Sequence, residues 1–125
     1  MNTDKSGLKK RVYSFGFAFK GILELLKSEP NAMIHLLATV CVVIAGFLFK
    51  ISGAEWCAIF IVIGLVWSAE AFNTVIEKLV DHLFPEYHET ARVAKDVAAG
   101  AVLICSIIAA IVGLIVFLPK LLHYF

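Results

Sequence analysis

From Val97 to Leu118 the chain runs for 22 residues without a charged side chain. At about 1.5 Å per residue a helix of that length covers roughly 33 Å, enough for a hydrocarbon core of about 30 Å. A backbone in lipid must satisfy its own hydrogen bonds, so this stretch is a membrane-spanning helix. The rest of the chain agrees. It is 61% hydrophobic with mean hydropathy +0.90 and only 17% charged residues, more apolar surface than a soluble domain of 125 residues can hide. The sequence therefore predicts one all-α membrane domain over residues 1–125. It is expected to have an interfacial amphipathic helix at about 6–27 and three spans at about 33–50, 55–83 and 97–118.

Residues 1–5 are polar and are expected to be frayed. Between Ser6 and Lys27 the apolar residues Leu8, Val12, Phe15, Phe19, Ile22 and Leu26 recur at three- and four-residue spacing, which makes one helical face. A basic amphipathic helix ahead of a span lies in the membrane interface. Ser28-Glu29-Pro30-Asn31 breaks it, because Pro30 disfavours a helical Glu29. In the first span His35 reads as a structural interfacial histidine, and Lys50 can snorkel at the far end. A tight turn over residues 51–54 leads to a second helix opening at Glu55 or Trp56, with Trp56 as an interface anchor and Trp67 deeper. Pro85 ends that helix, and Pro119 with Lys120 is expected to close the third span. Cys41, Cys57 and Cys105 lie far apart in apolar runs and are expected to be buried small hydrophobes rather than disulfides or metal ligands.

Within the second helix Glu70, Asn73, Glu77 and Asp81 fall at i, i+3, i+7 and i+11, on one narrow stripe. Carboxylates in a membrane helix are costly and mark a functional site. Six Lys/Arg residues precede the first span (Lys5, Lys9, Lys10, Arg11, Lys20, Lys27) and three more (Lys78, Arg92, Lys95) flank or occupy the loop between spans two and three. Only Lys50 and Lys120 lie opposite. The positive-inside tendency then places the N-terminus and the second loop in the cytoplasm and the C-terminus outside. Glu70 would sit just inside the inner boundary, with Glu77 and Asp81 at or beyond it.

Glu29, Glu70, Glu77 and Asp96 share that cytosolic side with Lys95. Carboxylates with a phosphate-bearing ligand describe a Mg²⁺ site, and a deeper carboxylate can act as general base for a hydroxyl. Phosphoryl transfer to a membrane-borne alcohol is one reading of these residues. There is no GxxxxGK[ST] or GxGxxG loop, so the common kinase architectures do not apply. A small oligomeric protein conducting protons or ions along the acidic stripe is a second reading, and a non-catalytic membrane scaffold a third. The charge distribution points to no nucleic-acid partner.

The run Glu70-x-x-Asn73-Thr74-x-x-Glu77-x-x-x-Asp81, followed by Glu86-Tyr87-His88-Glu89 and Ala94-Lys95-Asp96, resembles the prokaryotic integral-membrane diacylglycerol kinase family, which includes undecaprenol kinases. Phe19-Lys20-Gly21 and Glu29 match as well, so the likeness covers nearly the whole chain. It implies an ATP- and Mg²⁺-dependent lipid kinase of the prokaryotic inner membrane, a homotrimer with composite sites, acting in phospholipid or cell-envelope lipid metabolism. Carried over by position, it implies Glu70 as general base in contact with the lipid hydroxyl, and Glu29 and Glu77 as metal and ATP ligands. Asn73 and Asp81 would organise that site. Glu86, Tyr87, His88, Lys95 and Asp96 would contact the nucleotide, as would Lys10 and Phe17, and Ala99 would border the lipid acceptor. The chain departs from its relatives at Phe17, often tyrosine, and at Lys10, where some carry arginine. His35 and Met33 resemble neither the acid nor the basic residue common in enzymes assigned to diacylglycerol, which favours undecaprenol as acceptor.

Overall fold

A computed structural model of the chain describes residues 3–124, with side chains from residue 6 onward. Helices α1 (Thr3–Ser28), α2 (Ala32–Leu48), α3 (Gly53–Leu83) and α4 (Glu89–Tyr124) follow in order, and the described residues contain no strand. The all-α reading holds. Helix α1 begins three residues earlier than expected, while Met1 and Asn2, also placed in the polar leader, lie outside the described residues.

Two helices, α3 and α4, are long and apolar enough to cross a membrane. Their 31 and 36 residues give roughly 46 and 54 Å, well beyond a core of about 30 Å. Helix α2 has 17 residues, only about 25 Å. It counts toward a third span when taken with α1, from which it is bent by 106°. The bend falls where Pro30 interrupts the helical pattern. Glu29 N–H still reaches the Leu25 carbonyl at 3.1 Å, and Ala32 N–H then reaches the Glu29 carbonyl at 3.1 Å, so the chain turns without losing these bonds.

The α2–α3 turn is fixed on both sides. Lys50 takes a left-handed conformation at φ 51°, and the N–H groups of Lys50 and Ile51 return to the Phe47 and Gly46 carbonyls at 3.3 and 3.2 Å. This is a Schellman closure with lysine where glycine is usual. Ser52 then caps α3: its side chain accepts from Glu55 N–H at 3.2 Å, and Glu55 accepts from Ser52 N–H at 3.0 Å. The S-x-x-E capping box opens α3 at Gly53, two residues ahead of the expected start.

Helices α3 and α4 form an antiparallel hairpin, tied at one end by Lys120 to Glu55 and at the other by Lys95 to Asp81, each at 2.7 Å. The small core joins Ile51, Ile59 and Val116, with Val42, Phe49, Trp56, Ile63, Val112 and Phe117 against it. Most other large apolar side chains, including Leu103, Ile107, Leu114 and Ile115 on α4, face outward, as lipid-exposed helices do. The Trp56 ring packs against α2 at Gly46, where a Cβ would come within 2.5 Å of it, and stacks on Phe60 with centroids 5.4 Å apart.

Two expectations are corrected. Pro119 does not close the last helix, which continues to Tyr124. Proline removes one backbone N–H from the helix, but buried Val116 on one side and Lys120, bonded to Glu55, on the other hold the backbone on course. The ring of Tyr124 also reaches Phe49, with centroids 5.8 Å apart. The cysteines are free as expected, but Cys41 and Cys57 are exposed on the helix surfaces and Cys105 is half-buried. An apolar helix in lipid has no need to turn its small apolar residues inward.

Candidate active site

The acidic stripe descends from the interior of the hairpin to its mouth. Glu70 is 3% exposed and Asn73 and Thr74 are also buried. Glu77 is half-buried and Asp81 exposed. One cavity of about 320 Å³ is lined by Glu29, His35, Glu70, Asn73, Glu77 and Ala99, among others. The bend before α2 carries Glu29 to α3, where it accepts a hydrogen bond from Thr74 Oγ1 at 3.0 Å. The same hydroxyl lies 2.9 Å from the Glu70 carbonyl of its own helix, and with one proton it serves one acceptor at a time. Asn73 Nδ2 donates to Glu77 Oε1 at 3.1 Å, while its buried Oδ1 has no partner.

A second cavity of about 420 Å³ opens where α3 ends, lined by Asp81, Glu86, Tyr87, His88, Lys95 and Asp96, and also by Arg92. Lys95 donates to Asp81 at 2.7 Å and Arg92 to Asp96 at 2.9 Å. Lys95 precedes the apolar part of α4, and the Asp81 carboxylate beside it holds its ammonium above the usual lysine range, keeping the positive charge at neutral pH. Two sets of residues singled out in the sequence thus gather in two adjacent cavities. Lys10 and Phe17 join neither. They are exposed on α1, which leaves the hairpin at the bend, and the Phe17 ring is covered by Lys20 at 5.6 Å.

On the other side of the first cavity lies an apolar cleft of about 210 Å³ between α2, α3 and α4, lined by Val42, Ile59, Val66, Trp67, Ala109 and Gly113 among others. His35 and Ser106 line both spaces. The two spaces thus adjoin at His35 and Ser106, and His35 carries the contact to Glu70.

Sequence reasoning passed over His35 and Thr74 as working parts. His35 Nε2 lies 2.7 Å from Glu70 Oε1. Asn31, the N-cap of α2, and His35 and Thr39 within it recur every four residues, which puts them on one face of an otherwise apolar helix. That polar seam was the available signal that this face meets α3. Thr74 lies four residues after Glu70 and shares its face for the same reason.

The donor set suits a hard divalent cation. Mg²⁺ takes oxygen ligands, commonly one or two carboxylates completed by substrate phosphates. Glu29 and Glu77 offer such carboxylates in one cavity, beside the unpartnered Asn73 Oδ1. Among the described residues no group of three or more His, Cys, Asp or Glu side chains could hold a metal ion by itself.

A buried carboxylate in a cavity that adjoins an apolar cleft, next to a second cavity carrying cationic and aromatic groups, accommodates phosphoryl transfer to a lipid alcohol without by itself requiring it. Comparison with known proteins supplies the class, a membrane lipid kinase. Residues 16–117 match the family model described as prokaryotic diacylglycerol kinase, and the chain belongs to that family. It is 43% identical over 117 residues to the undecaprenol kinase of Bacillus subtilis (strain 168), covering 94% of this chain and 95% of the relative. It is 37% identical over 110 residues to a diacylglycerol kinase of Synechocystis, covering 87% of this chain and 63% of the relative. Against the diacylglycerol kinase of Escherichia coli (strain K12) the identity is 27% over 111 residues, with 89% and 91% covered.

Proposed function

We propose that this protein transfers the γ-phosphate of MgATP to the hydroxyl of a membrane lipid alcohol, with undecaprenol preferred over diacylglycerol. The observation that carries the reading is buried Glu70 in one cavity with Glu29 and Glu77, a cavity that adjoins the apolar cleft through His35 and Ser106. A lipid tail in the cleft presents its hydroxyl to Glu70, which takes the proton as the oxygen attacks the γ-phosphorus. The bond from that phosphorus to its bridging oxygen breaks, and ADP leaves on the cytosolic side. Glu29 and Glu77 would hold Mg²⁺, which would neutralise phosphate charge. Asn73 and Asp81 orient these groups. Glu86, Tyr87, His88, Lys95 and Asp96 bind the nucleotide in the second cavity, and Ala99 leaves room for the acceptor.

Lys10 and Phe17 line neither cavity in one chain, and a homotrimer with shared sites would let a neighbouring copy supply them to the nucleotide. The Lys/Arg distribution supports an inner-membrane protein with a cytoplasmic N-terminus and external C-terminus, and α2 as a third crossing. Conduction along α3 is less well supported. Beyond Glu70 the helix buries Val66, Val62 and Ile59, so the polar stripe does not continue across.

The acceptor order rests on His35 and Met33 and on the higher identity to the relative named undecaprenol kinase. Purified protein given MgATP and both lipids in one mixed micelle should form more undecaprenyl phosphate than phosphatidic acid. A large excess of phosphatidic acid overturns the preference, and phosphorylation of neither lipid overturns the kinase reading.

A further inference from the structure

We propose that His35 is a positioning residue for Glu70, holding one carboxylate oxygen so that the other faces the acceptor hydroxyl; this rests on the phosphotransfer reading above. The His35 Nε2 to Glu70 Oε1 distance is 2.7 Å, in the range of a charge-assisted hydrogen bond. With a carboxylate as partner the imidazole carries its proton on Nε2 and donates it. The two side chains are unequally placed, His35 at 21% exposure and Glu70 at 4%. A glutamate has three rotatable side-chain bonds, and a base must stay within hydrogen-bond reach of the proton it removes. Tying Oε1 removes most of that freedom and leaves Oε2 as the oxygen free to accept.

The imidazole is itself fixed. Trp67, one turn before Glu70 on α3, donates from its indole N–H to Thr39 Oγ1 at 3.0 Å. Thr39 in turn donates to the His35 carbonyl at 2.7 Å, one turn back along α2. The His35 ring also stands edge-on to Trp67, with centroids 6.2 Å apart and planes at 64°. Two polar ties one turn apart thus register α2 against α3, and the second of them ends on Glu70. A group held this way sets where the carboxylate points without touching phosphate or metal. Glu29 and Glu77 share the cavity with it, yet neither has a hydrogen bond to His35.

His35→Leu removes the donor at similar bulk, and kcat should fall about 10–100-fold, the usual cost of losing a group that orients a reacting one. Affinity for a non-hydrolysable MgATP analogue should stay unchanged. His35→Gln restores an N–H donor and should recover most of the lost kcat. In a Glu70→Gln background, His35→Leu should cost nothing further, because residues acting as a unit are not additive. A purely structural tie predicts multiplied losses in the double variant, and that result overturns the proposal, as does a glutamine variant that recovers none of the lost kcat. Should His35→Leu fail to fold, ¹⁵N signals of the His35 ring in labelled protein decide. Nε2 should be protonated and should shift on Glu70→Gln, and a ring that does not respond overturns the pairing. Full turnover by Glu70→Gln alone would instead remove the base assignment of the proposed function. Loss of turnover in Glu70→Gln with unaltered kcat in His35→Leu would remove only the positioning role.

Discussion

The two ends of the α3–α4 hairpin are both polar, yet they are finished differently. At the Ser52 end the polar groups answer one another. Ser52 and Glu55 cap the helix reciprocally, Lys120 places two bonds of 2.9 and 2.7 Å on the same glutamate, and the Trp56 ring fills the space over Gly46. At the Glu70 end groups are left over. Asn73 Oδ1 is buried without a partner, one Thr74 proton faces two acceptors, and Tyr87 stands 79% exposed at the mouth. Folding alone favours the first arrangement, since an unsatisfied buried polar atom costs about 1–3 kcal/mol. The second makes sense when a ligand completes it. The difference separates the end that holds the hairpin together from the end that does its work.

The sharpest way to break this contrast is Glu70→Gln. Size and hydrogen-bonding capacity are kept but the base is lost, so turnover should fall by about 10²–10⁴ while a non-hydrolysable MgATP analogue still binds. Lost analogue binding would show Glu70 to be a nucleotide or metal ligand instead. At the opposite end Gly46→Ala should act on stability alone. The new methyl would meet the Trp56 ring at 2.5 Å, and displacing a ring stacked on Phe60 should cost about 1–3 kcal/mol. Thermal unfolding in detergent reads this, and the specific activity of the folded fraction should be unaltered. The smallest effect is a gain. Lys50 sits at φ 51°, so Lys50→Gly should stabilise the turn by about 0.5–1 kcal/mol. A loss of stability there would mean that the lysine side chain holds the turn in a way its backbone does not reveal.

Much of the fold was legible because lipid imposes few solutions. A 22-residue uncharged run and a Pro30 break located α4 and the bend directly from sequence. The ends were less legible, since they depend on local reciprocity. Ser52 and Glu55 had the spacing of a capping box, but the glycine and alanine between them suggested a turn. Pro119 looked like a stop because its own cost was visible and the packing around Val116, Lys120 and Tyr124 was not. In the candidate site, the stripe from Glu70 to Asp81 and the Glu86–Asp96 group were readable from periodicity and motif, and they fall into adjacent cavities. The placing of Glu29 against Thr74 and of His35 against Glu70 was not. Both pairs span helices (45 and 35 residues apart in sequence), and no local pattern carries such a register. Lys10 and Phe17 show the converse, being nameable by position while a single copy leaves them far along α1.

The apolar cleft that adjoins the Glu70 cavity has a kinetic meaning. On the proposed reading, the two substrates arrive from different phases and are counted in different units. Nucleotide is sensed as molarity in the cytosol. The acceptor is sensed as a mole fraction of the surrounding bilayer, so inert phospholipid added at fixed protein and fixed total acceptor competes by dilution alone. An enzyme built this way responds to the composition of its membrane before it responds to the amount of lipid in the cell.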